Sequence, residues 1–279
     1  MTATPGSAEW AAFHRTFTLS ITKALRDQLA VGLAELTPAP LSEEHINQLE
    51  ERPGVYQLYL NGAFVYVGKA DKTLPARLRE HLKKISGRRN ITLGELSFSC
   101  LYVAEDFSAL APEQLLISHH KGRGNIPWNN GGFGNKDPGR QRDHTVLKRD
   151  HFDALYPIDL DRPVRGLTAG ETTLHALLRA VKAGLPYNFR YASAPDHKRT
   201  TITVPWAEPS ADAVFRLISA ATPPTWQITA LMGYALMYEE APTKYKSAWR
   251  YYRGTEVIEG IPQQASEEQV DDPLEKAVE

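Results

Sequence analysis

Tyr56, Tyr66, Arg77, His81, Glu113 and Asn125 follow one another within a single domain length. Two phenols, a guanidinium, an imidazole, a carboxylate and an amide are the groups needed to hydrolyse a phosphodiester with one metal ion. That reaction requires an activated water, stabilisation of charge gathering on the phosphoryl oxygens, and neutralisation of the leaving oxygen. Taken singly, none of the six is informative. Strand tyrosines are usually packing residues, and Arg77 with His81 would be a solvated helix face. Glu113 would be a first-turn acid favoured by the helix dipole, and Asn125 a turn former. Their joint order carries the expectation.

Two short extended runs must hold the tyrosines, Gly54-Val55-Tyr56-Gln57-Leu58-Tyr59 and Phe64-Val65-Tyr66-Val67-Gly68, joined through Asn61-Gly62, a strong local hairpin signal. A two-residue Asn-Gly loop would pair Leu60 with Ala63 and Gln57 with Tyr66, sending Tyr56 and Tyr66 to opposite faces. A three-residue loop, Leu60-Asn61-Gly62 with Gly62 in a bulge, pairs Tyr59 with Ala63 and sets Tyr56 opposite Tyr66. The three-residue form is predicted. Leu74 to Ile85 reads as a helix with Thr73 as cap and Pro75 in its first turn, where a missing amide hydrogen costs nothing. Leu78, Leu82 and Ile85 form its buried stripe; Arg77, His81, Lys84 and Arg88 recur on a neighbouring one. A third strand runs from about Leu96 to Val103. A second helix follows Pro112, with Glu113 in its first turn, and then the irregular stretch Gly122 to Arg142.

Upstream, Ile21, Leu25, Leu29 and Leu33 mark an amphipathic helix from about Leu19 to Leu36, ending at the Pro38-Ala39-Pro40 break. After Arg162 the pattern becomes an α+β module: helix Ala169 to Ala183, strands near Tyr187 to Ala192 and Thr200 to Pro205, helix Asp212 to Ala220, and strands near Trp226 to Ala230 and Tyr234 to Glu239. The division expected is 1–163 for the nuclease-like unit, 164–262 for an accessory module acting as DNA clamp or dimerisation unit, and 263–279 for an acidic disordered tail. Lys198, Arg199, Lys244, Lys246, Arg250 and Arg253 could clamp phosphates or serve only as soluble surface.

With 279 residues, 42% hydrophobic and 23% charged, the chain can bury ordinary cores. Its net charge of −1 conceals a segregation. Lys69 to Asp150 holds 15 Lys or Arg against 9 Asp or Glu, a surplus of +6, whereas the tail after Ser266 carries six acids against Lys276 alone. The single cysteine, Cys100, excludes an internal disulfide and a cysteine-based zinc site, and is expected in a strand core. Met1 to Ala8 lacks a basic segment followed by an apolar one, and no run approaches the roughly 20 apolar residues of a membrane span, so a soluble cytoplasmic protein without membrane partners is expected. Gly131-Gly132-Phe133-Gly134 lacks the lysine and hydroxyl residue of a phosphate loop, which argues against a nucleotide cofactor. His119 and His120 lack ligand spacing to a partner and read as surface residues.

Gly54-Val55-Tyr56, Tyr66-Val67-Gly68, Arg77 on a helix and the downstream Glu113 resemble the GIY-YIG nuclease domain. Within that superfamily the chain is similar to the type II restriction endonucleases typified by enzymes cutting CCGCGG. The details that carry this are His81 four residues after Arg77, Asn125 twelve after Glu113, and Phe133-Gly134-Asn135-Lys136-Asp137-Pro138-Gly139-Arg140. The likeness spans roughly residues 15 to 160. Valine replaces the middle isoleucine in both signatures, and the carboxy-terminal segment has no counterpart.

The resemblance implies an α+β fold with a small antiparallel three-stranded sheet flanked by helices, and a catalytic set of Tyr56, Tyr66, Arg77, His81, Glu113 and Asn125. Glu113 would hold one Mg²⁺, a hard ion satisfied by one carboxylate with waters and phosphate oxygens. Arg77 would grip the scissile phosphate with a fork that never deprotonates. Tyr56 would orient or deprotonate the water, but a phenol of pKa near 10 is a poor base and needs help. His81, near 6.5 when unperturbed, is the candidate to accept or relay that proton, with Tyr66 and Asn125 positioning water and phosphate. The implied substrate is double-stranded DNA at a palindromic, GC-rich site, cut by a homodimer whose twofold axis matches the site. Alternatives are a repair, mobile-element or structure-specific nuclease, and a non-catalytic DNA-binding module.

Overall fold

The computed structural model describes residues 21–103, 126–134 and 139–265. Glu113, Asn125, the helix expected after Pro112, His119 and His120, Asn135 to Pro138 and the acidic tail lie outside the described residues. The fold is mixed α+β, built on antiparallel sheets with several helices.

The amino-terminal unit opens with helix α1 (Ile21–Ala34), followed by β1 (Ala39–Pro40), the short α2 (Glu43–Ile46), β2 (Gly54–Leu60), β3 (Ala63–Ala70), α3 (Leu74–Ser86) and β4 (Leu96–Tyr102). Its sheet order is β1-β4-β2-β3, all antiparallel. The three expected strands thus gain a fourth, because Ala39–Pro40 extends along Ser97 and Phe98; proline is tolerated on such an edge.

The hairpin departs from its expected form. Asn61 and Gly62 have φ of 50° and 79°, the positive pair that a two-residue type I′ loop demands, and Leu60 pairs with Ala63. The three-residue loop is therefore wrong. The tyrosines still share a face, because β3 carries one extra residue, Val65, between the pairs Leu58–Tyr66 and Tyr59–Phe64. This bulge places Tyr66 opposite Leu58 and Gly68 opposite Tyr56.

Each sheet face is covered. Val55 and Val67 meet Leu33 of α1 together with Ile126, while Tyr56, Leu58 and Tyr66 face Leu74, Leu78 and Ile85 of α3 with Trp128, Phe133 and Phe152. α3 begins as expected: Thr73 caps it by accepting from the Ala76 amide, with Pro75 in the first turn.

The carboxy-terminal module contains a ribbon of β6 (Gly170–Thr173) with β8 (Thr201–Val204) and a five-stranded sheet. A two-residue β5 (Leu147–Lys148) precedes it and pairs in parallel with β13 (Gln264–Ala265). The large sheet contains β7 (Phe189–Tyr191), β9 (Trp226–Leu231), β10 (Ala235–Glu239), β11 (Ala248–Arg253) and β12 (Glu256–Glu259), in the order β12-β11-β9-β10-β7. Two expectations need correction. The helix read from Ala169 starts at Leu174, since Gly170 to Thr173 pairs with Thr201 to Val204. Two further strands, β11 and β12, follow Glu239, so the expected run of helix, two strands, helix and two strands is incomplete. Arg250 is not a free phosphate clamp: it pairs with Asp212 and Glu259, and Arg253 donates to Gln227. Helices Leu174–Gly184 and Ala211–Ala220 place Leu178, Val181, Phe215 and Ile218 in a core with Phe189, Ile228 and Tyr252, joined by Ile158, Leu160 and Val164.

The two units meet at the end of α3. Arg88, only 3% exposed, pairs with Asp153 at 2.9 Å and donates to the carbonyls of Tyr156 and Met232. A Cβ on Gly233 would lie 2.4 Å from Asp153 Oδ2, so the turn before β10 approaches as only glycine allows. Among the described residues no helix is long and apolar enough to cross a membrane.

Candidate active site

β2, β3 and α3 bring four of the six candidates together. The Tyr56 hydroxyl lies 2.6 Å from His81 Nε2 and accepts from Arg77 Nε at 3.3 Å. Arg77 and His81 reach one oxygen because they sit one helical turn apart on the face turned to the sheet. The Tyr66 ring closes the group, 6.1 Å from the Tyr56 ring and 5.6 Å from the imidazole, edge-on to the latter. Tyr56, Tyr66 and His81 are buried and Arg77 is partly exposed, so the guanidinium forms the outer part of the cluster. Glu113 and Asn125 lie outside the described residues.

Gly68 makes the cluster possible. Opposite Tyr56 in the ladder, it leaves the room into which the phenol leans: a Cβ there would lie 2.3 Å from Tyr56 Oη and 2.8 Å from Tyr66 Cε1. Gly54 serves the sheet instead, since its Cβ would strike the Leu101 carbonyl at 2.2 Å.

The charges differ from expectation at His81. Burial, reinforced by Arg77 and Lys84, holds its pKa well below 6.5. The imidazole is therefore neutral at pH 7 and a weaker base than its ordinary value suggests. With its proton on Nδ1, Nε2 accepts the Tyr56 hydroxyl proton while Arg77 donates to the same oxygen. Burial opposes the Arg77 charge, but Tyr56 and the 2.6 Å ion pair with Glu80 outweigh it and raise its pKa above the usual arginine range.

Sequence reasoning missed the wall behind this cluster. Phe133 stacks on His81 at 4.7 Å and 22°, and meets Tyr66 edge-on at 5.0 Å. Lys84 Nζ donates to the Phe133 carbonyl. Asn129 accepts from the Val67 amide at 2.9 Å and donates to the Val67 carbonyl at 2.8 Å, covering the outer edge of β3 beside Tyr66. The sequence signals were their place in the Gly122 to Arg142 stretch and, for Phe133, the run to Arg140 that carries the resemblance. The basic residues between positions 83 and 90 are largely engaged: Lys84 and Arg88 have buried partners, and Arg89 pairs with Asp159 and Asp161. The basic surplus therefore overstates the charge available to a ligand.

Among the described residues no group of three or more His, Cys, Asp or Glu could hold a metal ion. The described side chains of the cluster are cationic or neutral, and they suit an anion such as a phosphate more than a cation. Compared with known proteins, the chain matches no family model and no curated protein.

Proposed function

We propose that this protein is a Mg²⁺-dependent endonuclease of the GIY-YIG type, in the restriction branch. It hydrolyses phosphodiester bonds of double-stranded DNA at a palindromic, GC-rich site, acting as a homodimer. One observation carries the reading: a single phenolic oxygen, on Tyr56, shared by a buried neutral imidazole and a guanidinium.

A phosphate held by Arg77 would lie beside the Tyr56 hydroxyl. Its negative charge would offset the cationic influence of Arg77 and Lys84 on His81 and raise the basicity of the imidazole only once substrate is bound. The Tyr56 oxygen would then take a proton from the attacking water as it passes its own to His81, a two-group relay that spares the phenol from ionising alone. Tyr66 would face the same water. The described side chains do not make a Mg²⁺ site by themselves; Glu113 is the residue that would hold the ion, whose chemistry is to neutralise charge on the phosphate oxygens.

The test is digestion of a long sequenced duplex with Mg²⁺, alongside Glu113→Ala and a no-metal control, with fragment ends mapped. Discrete ends at one repeated palindrome, absent with Glu113→Ala, support the reading. Intact DNA under all conditions, or full activity of Glu113→Ala, contradicts it.

A further inference from the structure

Arg77, His81 and Lys84 form one stripe of α3, continued just past its end by Arg88, and all four side chains are engaged. Arg77 and His81 meet Tyr56, Lys84 meets Phe133, and Arg88 meets Asp153. The third member has no part in the chemistry above beyond its charge. Lys84 is partly buried, with its ammonium 4.8 Å from the Phe133 ring centre and 5.2 Å from that of Phe152. Removing an ammonium from water is costly, and a leucine or methionine would fill the same aromatic pocket at lower cost. What lysine adds is a directed donor.

We infer that Lys84 is a positioning residue for the proposed reaction: by bonding the Phe133 carbonyl it holds the Phe133 ring against His81, and so holds the imidazole on the Tyr56 hydroxyl. The inference rests on the nuclease reading for its consequence in catalysis, though not for the geometry. Phe133 needs such an anchor because of its neighbours. It stands in Gly131-Gly132-Phe133-Gly134, where Gly132 has φ of 78° and a Cβ on Gly134 would lie 2.5 Å from Tyr66 Oη. Glycines leave the backbone many conformations to lose. The Phe133 amide is tied to the Trp128 carbonyl at 3.1 Å, and Lys84 ties its carbonyl. The 1% exposed ring then excludes water from one whole face of the imidazole. Burial lowers the Lys84 pKa to about 8, opposed by Asp153 and assisted by Arg88 and Arg77, so near pH 7 the amine keeps the proton it needs to donate.

The test compares wild type, Lys84→Met, Phe133→Leu and the double variant. Two readouts are taken: the single-turnover cleavage rate in Mg²⁺, and the ring ¹⁵N signals of His81 by NMR in the protein alone. Among the described residues the charged groups facing His81 are Arg77 and Lys84, with the Tyr56 and Tyr66 rings beside it. Phe133→Leu leaves all of these in place and so separates positioning from charge. Each single variant should lose about tenfold to a hundredfold in rate, and the double variant should lose no more than the worse single, since Lys84 acts through Phe133. Phe133→Leu should turn the one-tautomer His81 signals of wild type into those of an averaged, mobile ring. Additive losses, a wild-type rate in Lys84→Met, or unchanged His81 signals in Phe133→Leu would overturn the inference. Should wild type cut no DNA, the nuclease reading fails separately, and the His81 signals alone decide the positioning role.

Discussion

Tyr56 and His81, 25 residues apart in the chain, share a 2.6 Å hydrogen bond in the interior of the amino-terminal unit. Buried polar atoms without a partner cost about 1–3 kcal/mol each, so the pair is both a structural contact and the central element of the proposed chemistry. Its environment gives it a pH signature.

Folding lowers the His81 pKa, chiefly through burial, and the shifts at His151 and His197 have the same sign and leading cause. The unfolded chain therefore binds protons more readily than the folded one. The associated stability is fully present above the unfolded value of about 6.5 and is lost as pH falls below it toward the folded values. The melting temperature should drop as pH is lowered from neutral toward about 5.5, and His81→Gln should make that drop shallower. Thermal melts across this range check it; equal slopes in the two proteins would contradict the burial assigned to His81.

Gly68→Ala should disable the cluster while Gly62→Ala should not. The first places a methyl 2.3 Å from Tyr56 Oη, forcing the phenol off its position at a cost of about 1–3 kcal/mol. The second has open space and only the strain of φ at 79°, about 1 kcal/mol. Denaturant melts together with cleavage rates separate the two: Gly68→Ala loses activity, and Gly62→Ala keeps it with a small stability loss.

Arg77→Lys should behave nearly as badly as Arg77→Ala. The guanidinium reaches Tyr56 with Nε and Glu80 with Nη1 at once, a fork that a lysine ammonium cannot reproduce. A loss of about 100-fold or more in single-turnover cleavage is expected for both. Substantial activity in Arg77→Lys would show that charge alone suffices.

Arg88→Ala should destabilise the protein by about 3 kcal/mol, because it strands Asp153 at the junction of the two units. Arg88→Met with Asp153→Leu should recover part of the loss. Denaturant melts of both variants check it, and an equal loss in the double variant would mean that the ion pair is not what Arg88 contributes.

Much of the amino-terminal unit was legible because its signals are local. Asn61-Gly62 announced the hairpin, Thr73 and Pro75 the start of α3, and the four-residue spacing of Arg77 and His81 their common direction. The Val65 bulge was not legible, since an extra residue in one strand has meaning only against its partner. Two opposite errors nearly cancelled there: the loop is one residue shorter than expected and the bulge restores the shared face. Lys84 and Arg88 could be placed on a helix stripe but not paired, because their partners, the Phe133 carbonyl and Asp153, lie 49 and 65 positions downstream. Gly170 to Thr173 read as helix because the ribbon partner Thr201 to Val204 is also remote, 28 to 34 positions on. Asn129, which reads the Val67 backbone 62 residues away, belongs to the same class.

The most direct test of the central claim is the single-turnover cleavage rate of Tyr56→Phe on duplex DNA in Mg²⁺, measured beside its DNA affinity without metal. Removing one oxygen leaves the ring and its packing in place while taking away the atom that His81 and Arg77 share. The expected result is a rate lower by about a thousandfold with affinity retained. Cleavage by Tyr56→Phe at the wild-type rate would contradict it.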